Sequence, residues 1–297
     1  MADSLSTTAP RSGRVQSGDL WQLGPHRLLC GDSQNPADVA RLMNGEHAAL
    51  TVTSPPYNLG HSATLGRSNA PGKSLYLGQS DARSRADYLR LLCSVTENAL
   101  QVSTVVILNI QMLAGNKIAL VEFLHHFREH LIDVAIWNKG YAPPAMVRNV
   151  FNSQFEWLIF LTRYKSKGKT TRAIPTADFR GTVSNVYAGS PQKHNPYFRL
   201  HAATFPLHLP LWLIQTFDSQ GGIILDPFIG TGTTLLAAEQ LGQKCYGIEI
   251  EPAYCEIILD RWEQAMHRHA VRRSSVIYKK IDKSTFDGKL STQHVGD

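Results

Sequence analysis

Seven short runs rich in Val, Ile and Leu recur along the chain, at Arg27–Gly31, Leu50–Thr53, Thr104–Asn109, Ile132–Trp137, Trp157–Thr162, Gly222–Asp226 and Lys244–Ile250. Between them lie segments of helical periodicity: Pro36–Met43, Ala86–Leu100, Lys117–Glu129, Leu207–Phe217, Thr233–Leu241 and Pro252–His267. Apolar residues on both parities of a short run mean a strand covered on both faces. Strands that alternate with helices fold as a parallel sheet with helices above and below. No helix separates Ile132–Trp137 from Trp157–Thr162, so these two are expected as an antiparallel pair at the sheet edge. The fold class is therefore α/β, a doubly wound and mostly parallel seven-stranded sheet.

Two stretches interrupt the alternation. Asn58–Ser80 is dense in Gly, Ser and Asn, and Lys165–Asn195 is basic and polar, with Pro175 and Pro191 inside it. Loops of this length inside a compact domain are functional or disordered. The expected organisation is a flexible N-terminal tail over 1–18, one domain over 19–268 and a basic C-terminal tail over 269–297.

Charge and composition narrow the classes. Of 297 residues 43% are hydrophobic and 18% charged, which excludes fibrous and wholly disordered chains. No apolar run approaches the roughly 18 residues that span a bilayer, and the first residues lack the apolar core of a secretory signal. The four cysteines form no CxxC pair, against both a disulfide framework and a zinc site, so no metal is expected and a reducing cytoplasm is the expected home. The net charge of +6 is concentrated in the middle: residues 60–199 carry 17 Lys and Arg against 8 Asp and Glu. Within that span, Lys139–Arg199 holds ten basic residues and only two acids, Glu156 and Asp178. Such a region suits a polyanion, most simply nucleic acid; a solvated face is the plain alternative.

Two segments carry chemistry. In Leu225–Thr234, reading Leu-Asp-Pro-Phe-Ile-Gly-Thr-Gly-Thr-Thr, an apolar strand runs through a glycine turn straight into a helix. Glycines let the backbone approach a ligand closely, and the helix N-terminus offers free N–H groups. Glu249 ends the next strand 19 positions after Gly230, the spacing at which a carboxylate meets ribose hydroxyls in a nucleotide-binding βαβ unit. A bare tight turn is the weaker reading. In Thr51–Asn58 the sequence Ser54-Pro55-Pro56-Tyr57 also follows a strand. Two prolines fix an extended backbone without N–H donors and leave carbonyls to accept, beside a flat aromatic ring. Fixed acceptors and an aromatic plate suit a planar group bearing NH₂; as a pattern alone, a rigid turn is equally open.

Together these motifs resemble those of the exocyclic-amino DNA methyltransferases. Thr53–Tyr57 is similar to the catalytic [D/N/S]-P-P-[Y/F/W] motif, and Asp226–Thr234 to the D-P-F-x-G-x-G-T-T motif that binds S-adenosylmethionine. The order, catalytic motif first and cofactor motif late with a basic region between, is that of the β group. Leu29–Asp32 and His201–Pro206 agree with flanking segments of the family, and the resemblance spans Gly18 to His267. It implies a Rossmann-like, circularly permuted methyltransferase fold with an inserted target-recognition region about 139–199. It further implies that Phe228, Gly230 and Gly232 wrap the methionine part of the cofactor, with Asp226 near its ammonium and Thr233 and Thr234 near its carboxylate. Glu249 would hold the ribose, Asp32 the adenine edge, and His201 and Thr204 the methionine end, although Ala202 and Ala203 stand where relatives carry Pro after the His.

The implied reaction is direct attack of a base amino group on the sulfonium methyl. Ser54 and the Pro55 carbonyl bind the two N–H bonds, Pro56 holds the backbone, and Tyr57 stacks on a base turned out of the duplex. No cysteine follows a proline, so the nucleophile of cytosine-C5 methylation is missing. Serine at the first motif position resembles N4-cytosine enzymes and is favoured; N6-adenine is the alternative. Arg148, Arg163, Lys165, Lys167, Lys169, Arg172 and Arg180 are the candidates for phosphate contacts, while Trp137 and Trp157 read as core. Double-stranded DNA is the expected partner, with room for a homodimer and for a cognate restriction endonuclease. An RNA or small-amine methyltransferase would not need the basic stretch, and a non-catalytic nucleic-acid-binding module would not need both motifs intact.

Overall fold

A computed structural model describes residues 13–59, 82–142, 144–145, 148–165, 171–191 and 206–273. Its centre is a ten-stranded mixed sheet. In chain order the elements are β1 (Leu20–Leu23), β2 (His26–Cys30), α1 (Pro36–Met43), β3 (Ala48–Thr53), α2 (Arg85–Val102), β4 (Ser103–Ile110), α3 (Lys117–His126), β5 (Leu131–Asn138), β6 (Phe155–Thr162) and β7 (Val186–Ala188). They continue with α4 (His208–Phe217), β8 (Ile223–Asp226), α5 (Thr233–Gln240), β9 (Lys244–Glu249), α6 (Pro252–Met266) and β10 (Val271–Arg273).

The strand order is β10-β1-β2-β9-β8-β3-β4-β6-β5-β7. Strands β2, β9, β8, β3 and β4 run parallel, so their carboxyl ends meet at one rim of the sheet. β6 is antiparallel to both β4 and β5. Along β4 the side chains alternate between two cores. Val105 and Ile107 face the helices α4, α5 and α6, and Val106, Leu108 and Ile110 face α1, α2 and α3. That period of two with both faces apolar is what buries the sheet on both sides.

All seven expected strands and all six expected helices form. Three further strands extend the sheet. β1 pairs antiparallel with β2 through a two-residue turn at Gly24, whose φ is +54°; β10 pairs with β1 and β7 with β5. The antiparallel pair is therefore not the outermost, because β7 covers β5. The described domain also exceeds the expected 19–268: the backbone N–H groups of Gly13, Arg14 and Val15 all donate to the Glu256 carboxylate on α6, and Arg272 lies within β10. Among the described residues no helix is long and apolar enough to cross a membrane.

Candidate active site

The two chemistry-bearing segments emerge side by side at the carboxyl rim. β3 and β8 are neighbours, and each ends where its motif begins. After β8 the chain turns through Gly230 and Gly232, at φ +56° and +85°, and enters α5. Both values lie in the left-handed region that glycine occupies without strain. The Gly232 N–H closes the turn on the Ile229 carbonyl at 2.8 Å, and Ile229 N–H binds Ile248 of β9 at 3.1 Å.

Asp226 is the post on which the turn is built. It is 1% exposed. Its Oδ1 accepts from Thr53 Oγ1 at 2.7 Å and from the Phe228 N–H at 3.1 Å, and its Oδ2 accepts from Thr234 Oγ1 at 2.6 Å. Burial pushes its pKa up to about 6 against these three hydrogen bonds. Sequence reasoning places Asp226 beside the cofactor's ammonium and Thr234 beside its carboxylate. The fold first commits these two side chains to each other, within the core, and leaves Thr233 on the first turn of α5 as the threonine nearer the surface.

Glu249 and Asp32 end neighbouring strands. The Gly31 N–H donates to the Glu249 carbonyl at 2.9 Å, which brings the β2 end against the β9 end. Glu249 is 8% exposed and accepts from the Gly230 N–H at 3.0 Å and the Glu251 N–H at 2.9 Å. Burial lifts its pKa to about 8, with the negative charge of Asp226 adding to the rise and the two N–H groups opposing it. Asp32 is partly exposed, its Oδ1 taken by the Gln34 N–H at 2.9 Å.

The Ser54–Tyr57 loop has its acceptors sorted by neighbours. Tyr88 of α2 donates to the Pro56 carbonyl at 2.7 Å, and Asn116, ahead of α3, donates to the Tyr57 carbonyl at 2.8 Å. Among the described residues nothing donates to the Pro55 carbonyl. Ser54 Oγ lies 3.2 Å from the Tyr57 hydroxyl, which in turn donates to Glu156 of β6 at 2.7 Å. Two acceptors, Ser54 Oγ and the Pro55 carbonyl, thus stay at the rim beside the glycine turn. Beyond the loop, Asn58 donates to the carbonyls of Arg83 and Gly115 and accepts from the Arg83 N–H at 2.7 Å.

Thiol chemistry finds no support here. Burial raises Cys245 and Cys255 well above the ordinary thiol range and Cys93 to about 11, so these sulfurs stay protonated.

The basic residues divide between the two rims of the sheet. β6 runs opposite to its neighbours, so the segment after it emerges at the far rim. The Arg163 N–H donates to Thr104 at the start of β4, and Arg172 forks onto Asp133 near the start of β5 at 2.6 and 2.9 Å. Lys165 lies with Arg163 beside His126 and His130, and Arg180 follows Phe179, whose ring packs on Phe217 at the end of α4. The six residues of β3, roughly 20 Å, separate that rim from Ser54. Of the described candidates only Arg148, in the β5–β6 connection, shares the rim with the motifs, and it is exposed. Lys167, Lys169, His201 and Thr204 lie outside the described residues. Trp137 is buried and donates to the Gly189 carbonyl at 2.7 Å, a core role as expected.

Thr53, Tyr88, Asn116, Glu156 and Lys139 were not singled out as site residues by sequence. Three left a trace: Thr53 opens the span that resembles the catalytic motif, Lys139 begins the basic stretch, and Glu156 is one of two acids within it.

The chain has relatives among known proteins. The chain is similar to the type II methyltransferase M.SmaI of Serratia marcescens, with 30% identity over 134 residues, 42% of this chain and 44% of that one. To M.Cfr9I of Citrobacter freundii it is 29% identical over 126 residues, 42% of each. It thus spans less than half the length of these curated relatives. Among solved structures it resembles the PvuII DNA methyltransferase (cytosine-N4-specific), with a TM-score of 0.57 at 16% identity over 83% of this chain and 92% of that one. A putative DNA modification methylase from Thermus thermophilus superposes with a TM-score of 0.52 at 21% identity over 80% and 95%. At such identities the likeness is one of fold. The family model for N6/N4 DNA methylases matches residues 48–260, from the strand that leads into Ser54 through the glycine turn and Glu249 to the last helix. With both of its motifs meeting at one rim, the chain belongs to the DNA methylase family of exocyclic-amino methyltransferases.

Proposed function

We propose that the protein transfers a methyl group from S-adenosylmethionine to the exocyclic amino group of a base in double-stranded DNA, N4 of cytosine being the target. The observation that carries this reading is the Thr53–Asp226 hydrogen bond, which holds the Ser54–Tyr57 loop against the glycine turn. The residues present suit the cofactor. A buried turn with two left-handed glycines admits a ligand to its backbone, Thr233 lies at a helix N-terminus, and Glu249 and Asp32 offer carboxylates at adjacent strand ends. S-adenosylmethionine supplies an electrophilic methyl on a sulfonium whose bonding pair stays with sulfur.

The chain's own groups do the rest. Ser54 Oγ and the Pro55 carbonyl accept the two N–H bonds of the amino group and turn its lone pair toward the methyl. Tyr57 packs on the base, which has left the stack to reach the rim. Arg148 contacts backbone phosphate on that side. Serine as first motif residue supports cytosine over adenine, and the type II relatives support a setting with a cognate endonuclease.

Incubation with S-adenosylmethionine and unmodified plasmid duplex, followed by mass spectrometry of the released nucleosides, tests the proposal. N4-methyldeoxycytidine is expected. N6-methyldeoxyadenosine would overturn the choice of base, and no methylated nucleoside from a protein that binds the cofactor would overturn DNA as substrate.

A further inference from the structure

Glu156 has a position that the sheet does not need. Strands β5 and β6 pair through their backbones, yet on β6 a carboxylate only 8% exposed faces the catalytic loop. Its Oε2 accepts the Tyr57 hydroxyl at 2.7 Å and its Oε1 the Lys139 ammonium at 3.1 Å. Lys139 also reaches Gln111 Oε1 at 3.4 Å, and Asn109 Oδ1 lies 3.4 Å from the Tyr57 hydroxyl. A nearly buried ion pair adds little to stability, because desolvation offsets its attraction. Its orientation toward Ser54 points to another purpose.

A carboxylate can only accept hydrogen bonds. Tyr57 has a single hydroxyl proton and gives it to Glu156, so the tyrosine oxygen is left as an acceptor. Ser54 then gives its own single proton to Tyr57 across 3.2 Å. The Ser54 oxygen therefore turns lone pairs, not a proton, toward whatever enters beside it. With a group at position 156 that can also donate, the chain runs equally well in reverse, and the serine O–H then confronts the N–H bonds it should accept.

We propose that Glu156, neutralised by Lys139, is a positioning residue that fixes the direction of this hydroxyl chain and takes up the proton lost by the target amine. The proposal rests on the amino-methyltransferase reading. Once methylated, the amine nitrogen is a cation with one surplus proton. Its N–H bond breaks with the electron pair staying on nitrogen, and the proton bonds to Ser54 Oγ. Ser54's own proton passes to the Tyr57 oxygen, and Tyr57's passes to Glu156 Oε2. Cation and carboxylate become a neutral methylamine and a neutral carboxylic acid, both hydroxyls are restored, and Glu156 returns the proton to water.

The test compares wild type, Glu156→Gln, Tyr57→Phe and the double variant as full chains. Cofactor affinity is read by calorimetry, folding by thermal melting, and single-turnover transfer with tritiated S-adenosylmethionine on unmodified plasmid duplex. Glu156→Gln should keep cofactor affinity within about twofold and fold cooperatively, melting below the wild type because Lys139 loses its carboxylate, yet transfer about 100-fold more slowly at a temperature where both are folded, in the range of lost proton-transfer assistance. Tyr57→Phe keeps the ring and should lose a similar factor, and the double variant should be no worse than Tyr57→Phe, since both break one chain. A Glu156→Gln rate above half of wild type overturns the proposal. So do losses that multiply in the double variant, or cofactor affinity that falls in step with the rate. An inactive wild type would instead strike the function beneath it.

Discussion

Thr53 and Asp226, 173 positions apart in sequence, are joined by a hydrogen bond of 2.7 Å from a threonine hydroxyl to a buried carboxylate. It ties the exit of β3 to the exit of β8, and hence the Ser54–Tyr57 loop to the glycine turn. Thr53→Val keeps the shape and deletes the donor, leaving Oδ1 with only the Phe228 N–H. Loss of a partner to a buried charged acceptor costs about 1–3 kcal/mol, so the melting temperature should fall by several degrees, about 2–4 °C per kcal/mol in a domain of this size. Cofactor affinity should fall with it. An unchanged melting curve would deny the bond any structural weight.

Glu249 is expected to make cofactor binding depend on pH. Its carboxyl, ordinarily near 4.5, sits at about 8 in the folded protein. A carboxyl whose pKa is raised on folding holds its proton more tightly in the native state. Stability without ligand is thus full below about 4.5 and declines as pH rises toward 8. Ribose hydroxyls donate to the ionised form, so the thermal shift produced by S-adenosylmethionine should grow between pH 6.5 and 8.5. In Glu249→Gln that growth should vanish. Thermal melts across this range, with and without the cofactor, decide it; an equal slope in the variant would remove Glu249 from the ribose site.

The seven central strands and six helices were legible because each strand is apolar on both parities and each helix carries its own periodicity. β1, β7 and β10 were not: at four, three and three residues, with side chains mostly half-exposed or exposed, they lack a pattern longer than chance. The same limit applies to the site. Ser54–Tyr57 and the glycine turn announce themselves by chemistry, whereas the hydrogen bonds of Thr53 and Glu156 depend on where their side chains point. The placement of Arg163 and Arg172 has one topological source: an antiparallel β6 delivers the segment after it to the rim opposite the motifs, and charge composition carries no direction.

Gly232→Val should separate the two halves of the site. At φ +85° a β-branched residue is strained, and a Cβ there would lie 3.2 Å from two side-chain carbons of Ile258. Stability should drop by about 1–3 kcal/mol, and calorimetry should find S-adenosylmethionine binding lost. Ser54→Ala should do the opposite, abolishing transfer with cofactor affinity retained. If both variants fail in both assays, the two segments do not divide the work as assigned.

The final prediction concerns which rim meets DNA. Each phosphate contact releases counterions and steepens the fall of affinity with salt by close to one unit of logarithmic slope. Arg148 stands exposed in the connection between Lys139 and Glu156, at the rim that carries Ser54, so Arg148→Ala should reduce that slope by about one. Arg163, Lys165 and Arg172 lie a strand's length away, and two of them are engaged, Arg163 with His47 and Arg172 with Asp133. Their combined replacement by alanine should leave the slope unchanged. Titration of duplex binding at several salt concentrations reads both variants. A slope that drops for the triple variant and holds for Arg148→Ala would mean that the duplex lies along the opposite end of the sheet from the one that carries the motifs.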